Sequence, residues 1–250
     1  MAINVNTVYQ TVLMILNKEQ RGYMTPTEFN TVATQVQLEI FEKYFDDLNQ
    51  QLRVPQADTD YADRQENIDE KLAIFKTFGD AIYTTIGGLS YFVLPTSDTY
   101  GDVVSFYRLG NVLYNDEKVV QRLDRHEFYY ANQSRLTKPS TINPAYLYEN
   151  QKLFIKPTTI TDKIKVDYIR KPNNIIWGFT PGPVGQYVWN DTPYSLVDNP
   201  TGSTDFEIHE SEQTEVILKI LLYSGIIIRD PEVVQTAAAL VQADETNKKS

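Results

Sequence analysis

Only two histidines are present, and each has carboxylates beside it. His126 lies between Asp124 and Glu127, next to Phe128, Tyr129 and Tyr130, a combination that could serve a general base. A base needs a group to act on, and no activated nucleophile is identifiable near it. A surface histidine on a helix accounts for the same residues. Glu207, His209 and Glu210 could ligate a metal, yet their spacing matches no recognised ligand set. They also fall at a strand–helix junction, where capping accounts for them. Asp58, Asp60 and Asp63 begin like a calcium loop. Such a loop wants a ligand where Ala62 stands and a glycine where Asp63 stands, so a solvated helix start is the simpler reading. No glycine-rich phosphate loop ending in Lys-Ser/Thr occurs. The many carboxylates would allow a glycosidase pair, as in any acidic protein. Tyrosines of the middle third could form sugar platforms, but most fall in period-two strands where cross-strand packing explains them. The expectation is a protein that is not an enzyme, with no catalytic residue, no metal and no cofactor.

Composition narrows the class further. A chain of 250 residues can bury a real core, as one large domain or two small ones. The longest apolar run, Ile220 to Ile228, is far short of the roughly 20 residues a spanning helix needs, so no membrane partner is expected. Asn4, Asn6 and Gln10 interrupt any signal-like apolar core at the N-terminus. With no cysteine, disulfides and thiolate metal sites are excluded, and a reducing compartment is permitted. The formal charge of −10 is unevenly spread. Residues 1–80 carry 7 basic against 13 acidic side chains, residues 81–197 carry 12 against 10, and residues 198–250 carry 4 against 10. The helical ends are acidic and the middle is nearly neutral. A protein that grips nucleic acid wants a basic stripe to displace counterions, and none is present.

The elements that must position these residues follow from periodicity. PSTINPAYLYENQKLFIKPTTITDKIKVDYIRKP, from Pro139 to Pro172, predicts three short strands around a turn at Glu149-Asn150-Gln151. Before it, Gly87-Gly88 and Gly110-Asn111 each read as a two-residue hairpin turn, because these residues tolerate positive φ. Lys118 to Gln121 reads as a further strand, and Arg125 to Arg135 as a short inserted helix. The run NNIIWGFTPGPVGQYVWNDTPYSLVDNPTGS suits an extended arm or loosely paired hairpin, with Tyr187 to Trp189 its best strand. On the N-terminal side, Val5, Val8, Tyr9, Val12, Leu13 and Leu16 stripe a first helix capped by Asn4 or Asn6. Thr25-Pro26-Thr27-Glu28 then opens a long second helix with a capping box. Its stripe of Phe29, Val32, Val36, Ile40, Tyr44, Leu48 and Leu52 runs to about Arg53, roughly 40 Å. Residues 58–75 read as a third, highly charged helix. Phe206 to Ile208 reads as a last strand, followed by a helix carrying Val216, Ile217, Ile220, Leu221 and Ser224. Asp230-Pro231 restarts a final helix with Val233, Val234, Ala237, Leu240 and Val241 facing inward.

The fold class expected is α+β. N-terminal helices (1–80) precede a central antiparallel β-sandwich or barrel-like region (81–208) with an inserted short helix and the loop-rich arm at 173–203. A C-terminal helical hairpin (209–250) packs back on the N-terminal helices. This order resembles the head-to-tail connector proteins of short-tailed tailed phages, the adaptor or ring proteins of the neck that include the tail tubular protein A type. The resemblance is nearest to ring proteins of crAss-like phages. It is carried by NKEQRGYMTPTEFNTVATQVQLEIFEKYF (Asn17 to Phe45), by NPAYLYENQKLFIKP with IKVDYIRKP, and by FEIHESEQTEVILKILLYSGIIIRDPEVVQ (Phe206 to Gln235). Together these cover about a third of the chain, and none is a catalytic signature. The arm from Asn173 to Ser203 has no counterpart in that pattern.

The resemblance implies a virion structural protein of the phage neck, assembled in the host bacterial cytoplasm as a self-associating dodecameric ring. Its implied partners are the portal protein, the next tail or ring protein, and passing DNA held without sequence-specific contact, for genome retention and ejection. A channel wall of like charge lets DNA slide, because counterion-releasing contacts are few. Val241, Gln242, Glu245, Lys248 and Lys249 are the candidates for portal docking, against a frayed end without a role. The competing readings are a more distal tail or ring component and a carbohydrate-binding or hydrolytic tail module.

Overall fold

The computed structural model describes residues 2–18, 24–53, 60–96, 105–195, 199–228, 235–236 and 238–243. In chain order they form β1 (Ala2–Ile3), α1 (Val5–Lys18), α2 (Pro26–Arg53) and α3 (Asp60–Ala73). There follow β2 (Lys76–Asp80), β3 (Ile82–Ile86), β4 (Leu89–Val93), β5 (Ser105–Tyr114), β6 (Lys118–Val119) and β7 (Gln121–Arg122). Next come α4 (Arg125–Gln133), β8 (Ala145–Glu149), β9 (Lys152–Lys156) and β10 (Ile164–Lys171). The last elements are β11 (Phe179–Pro181), β12 (Tyr187–Trp189), β13 (Phe206–His209), a 3-10 turn (Glu210–Glu212) and α5 (Gln213–Ile228). The architecture is mixed α+β. The chain divides into two compact units, one of Met1–Ile74 with Pro172–Ser250 and one of Phe75–Lys171.

In the first unit, local signals set the helix starts. Asn4 accepts the Thr7 N–H at 3.1 Å and so caps α1, while Asp205 takes the Val5 N–H at 2.8 Å. Thr25 and Glu28 close the expected box: the Thr25 N–H donates to the Glu28 carboxylate at 2.9 Å and the Thr25 hydroxyl at 2.7 Å. These bonds hold the Glu28 carboxyl below its usual range. The apolar stripes bury as their period predicts: Val5, Val8, Tyr9, Val12 and Leu16 on α1, and Phe29, Val32, Val36, Ile40 and Tyr44 on α2. α5 packs on both helices through Val216, Ile220 and Leu221. β1 pairs antiparallel with β13, tying the start of the chain to the strand before α5. Leu48, Leu52, Asp58, Val233, Val234 and Ala237 lie outside the residues whose side chains are described. Leu240 is not inward-facing as its period suggested. It is 49 % exposed, since no described element covers that face of the helix.

The second unit carries two sheets. One has the order β2-β10-β5-β6 and the other β3-β4-β9-β8-β7. Phe92, Tyr146, Leu153 and Ile155 from one sheet and Val112, Ile164, Val166 and Tyr168 from the other form a single buried cluster. Neither sheet closes into a barrel among the described residues. The three strands read from Pro139 to Pro172 form, yet they separate. β8 and β9 pair across Asn150-Gln151, both at positive φ, while β10 joins the other sheet. Gly87-Gly88 makes the β3–β4 turn at φ +61 and +80.

Three expectations of this region differ from the structure. Gly110-Asn111 is not a turn, because β5 runs straight through it and the chain reverses at Asn115-Asp116, at φ 56 and 58. Gly110 is needed for a different reason. A Cβ there would stand 2.9 Å from the Asp167 carbonyl oxygen of β10, at a point where the strand register shifts. Nor is the region wholly antiparallel. β7 pairs parallel with β8, and α4 supplies the crossover that a parallel pair requires. The strand expected over Lys118–Gln121 breaks at Val120, whose N–H donates to the Val112 carbonyl at 2.8 Å as the chain passes from one sheet to the other.

Candidate functional site

Each residue singled out for chemistry has a structural position of its own. His126 is exposed on α4 with its ring edge-on to Tyr130, centroids 4.5 Å apart. His209 caps the 3-10 turn: its Nδ1 accepts the Ser211 N–H at 3.2 Å. Glu207 turns the other way, its carboxylate accepting the Asn173 N–H and the Asn173 Nδ2–H, both at 3.1 Å. No group of three potential metal ligands comes together among the described residues. Of the tail candidates, Val241 and Gln242 are helical, while Glu245, Lys248 and Lys249 lie outside the described residues.

Side chains that periodicity did not single out build the more elaborate features, all in the first unit. Asn30, Thr34 and Gln37 stand one turn apart on α2 and hold the extended backbone of residues 173–177. Asn30 Oδ1 accepts the Trp177 N–H at 2.8 Å, and Thr34 Oγ1 accepts the Ile175 N–H at 3.0 Å. Gln37 Nε2 donates to the Asn173 carbonyl at 2.7 Å. One helical turn advances about 5.4 Å and two strand residues about 6.6 Å, so alternate residues of an extended segment meet successive turns of a helix. The Gln37 amide also accepts the Glu207 N–H at 2.9 Å, joining the segment to β13. Gln37 is only 1 % exposed. Gln37→Ala would empty a buried amide site and take partners from the Asn173 carbonyl and the Glu207 N–H together, both part-buried bonds. A loss of about 1–3 kcal/mol in unfolding free energy is expected from urea titration followed by tryptophan emission.

This clamp explains where the arm goes. The run from 173 to 203 belongs to the helical unit and not to the β region, because α2 holds its backbone by side-chain hydrogen bonds. It is also not loose. β11 and β12 pair as a hairpin, and Ser203 Oγ ties its base by accepting from the Gly178 N–H and the Trp189 Nε1–H while donating to the Asn190 carbonyl. Trp177 is buried, with its ring 4.5 Å from Tyr9 and 6.0 Å from Phe179, and Phe179 meets Tyr187 edge-on at 4.8 Å. Between α1 and this hairpin lies a cavity of about 500 Å³, lined by the rings of Tyr9, Trp177, Tyr187 and Trp189 and by the amides of Asn6, Gln10 and Gln186.

A second feature is a charged seam between α2 and α5. Lys219 is 4 % exposed and donates to Glu39 at 2.8 Å, with Glu215 at 3.7 Å. Glu215, 5 % exposed, also accepts from Lys43 at 3.0 Å. Tyr223 donates its hydroxyl to Glu39 at 3.1 Å, and burial, aided by the Glu39 charge, raises the phenol above its usual range. Lys71 of α3 pairs with the buried Glu212. Carboxylates and ammonium groups alternate along the seam, where Lys219, Glu215 and Glu212 are buried.

No model of a known protein family matches the chain. No curated protein sequence matches it either. No described helix is long and apolar enough to cross a membrane.

Proposed function

We propose that this chain is a non-catalytic virion structural protein that forms a ring in a phage neck, joining the portal to the tail and continuing the DNA channel. The observation that carries the reading is the β3–β4 hairpin. Ile82, Ile86 and Leu89 are 61 %, 63 % and 65 % exposed, and β3 is the outermost strand of its sheet. An apolar edge strand left open in a monomer invites contact with another chain. When a patch on one copy meets a different patch on the next, the contact is heterologous and closes into a ring if the rotation allows. The formal charge of −10 suits a wall past which DNA slides without adhering. In this reading the two sheets over one shared core act as a sandwich-like module. A C-terminal helical hairpin presents Val241, Gln242, Glu245, Lys248 and Lys249 to the portal.

Imaging the purified protein with portal particles by electron microscopy tests the proposal. A closed annulus seated on the portal is expected. An annulus that ignores the portal would move the protein to a more distal ring, and a monomer at every concentration would end the reading. Ile86→Asp and Leu89→Asp probe the hairpin directly, because a carboxylate buried in an apolar contact is costly while one in water is not. Each is expected to weaken self-association by about tenfold or more in analytical ultracentrifugation, with an unchanged far-UV spectrum.

A further inference from the structure

From the cavity between α1 and the β11–β12 hairpin, we infer a binding site for a neutral saccharide. Three features converge on that ligand class. Among the described residues the lining contains no acidic or basic side chain, although the chain carries a formal charge of −10, so the lining favours neither cations nor anions. Aromatic rings line it, and one of them, Tyr187, is 43 % exposed. The C–H face of a pyranose packs on such rings. Beside them stand the exposed amides of Gln10 and Gln186, and neither side chain has a hydrogen-bond partner among the described residues. A primary amide both donates and accepts, which matches a sugar hydroxyl that does the same.

The indole N–H groups argue against the main competitor, a proline-rich peptide. Aromatic grooves that read proline-rich segments dock a preformed extended helix along a row of rings, and an indole N–H is a ready donor to its carbonyls. Here Trp177 Nε1–H already donates to Asn6 Oδ1 at 3.1 Å and Trp189 Nε1–H to Ser203 Oγ at 3.1 Å. Ring faces and amides remain, and these suit hydroxyls. The volume of about 500 Å³ falls in the range of small-ligand sites. Every lining residue belongs to one chain, so the inference holds or fails independently of ring assembly.

The chain's only two tryptophans both line the cavity, so intrinsic emission reads the site directly. The full-length protein is titrated with neutral trisaccharides of glucose, galactose and N-acetylglucosamine, and separately with a proline-rich decapeptide. At least one trisaccharide is expected to shift the emission saturably. Tyr187→Ala and Gln10→Ala, both at exposed positions, are each expected to weaken that binding about tenfold or more, Gln10→Ala with unchanged thermal melting and Tyr187→Ala with the small drop that loss of its ring contact with Phe179 brings. The inference is overturned if no trisaccharide moves the emission up to about 50 mM. It is equally overturned if both variants bind as tightly as the parent, or if the peptide binds and the sugars do not.

Discussion

Trp177→Ala is expected to lower the unfolding free energy by about 3–5 kcal/mol, the range for deleting a large aromatic side chain from a packed interior. Trp177 is 5 % exposed, lies 4.5 Å from the Tyr9 ring and 6.0 Å from Phe179, and donates its indole N–H to Asn6. The alanine leaves a cavity at the point where the arm meets α1, and it removes the donor that orients Asn6. Trp177→Phe separates the two effects, because it keeps most of the packing and omits only the N–H. About 1–3 kcal/mol is expected for that variant. Trp189 remains as the emission probe in both. A loss below about 1 kcal/mol for the alanine variant would mean that the arm is not anchored through this ring.

Glu215→Ala should be comparably severe, at about 3 kcal/mol, since it removes a buried carboxylate shared by Lys43 and the buried Lys219. Glu215 Oε1 stands 3.0 Å from Lys43 and 3.7 Å from Lys219, and Lys219 is itself 4 % exposed. Glu39→Ala makes the contrast. Its own side chain is 42 % exposed, but it is the 2.8 Å partner of the buried Lys219, which keeps Glu215 at 3.7 Å, so an intermediate loss of about 1–2 kcal/mol is expected. The double replacement Glu215→Leu with Lys219→Met should recover to within about 1 kcal/mol of the parent, because apolar side chains of similar volume fill the seam without a desolvation cost. Lys43 and Glu39, the more exposed ends, then reach solvent. If the double variant were as unstable as Glu215→Ala, the seam would owe its strength to charge itself.

What the sequence determined by itself was short in range. The box at Thr25 and Glu28 closes over three residues, and Gly87-Gly88 sets its hairpin with neighbouring atoms alone. The strands β8, β9 and β10 follow from a two-residue period, and the buried stripes of α1 and α2 from the helical one, because burying one face needs only a partner and not a particular one. His209 as a cap belongs with these, since it reaches just two residues ahead.

Tertiary structure alone decided the rest. Gly110 signalled a turn by composition, but the close approach of Asp167 that requires it comes from a strand far along the chain. No periodic pattern marks the polar residues of α2 that hold the arm, because Gln37 and Asn30 meet a segment 136 and 147 residues away. Lys219 and Glu39, separated by 180 residues, pair only because α5 lies against α2. The cavity is of the same kind, drawing its rings and amides from α1 and from an arm that no periodic pattern connects to it. A hydrogen bond or ion pair between distant residues leaves no periodicity in the chain. Only the packing of helices and arm brings such groups within reach.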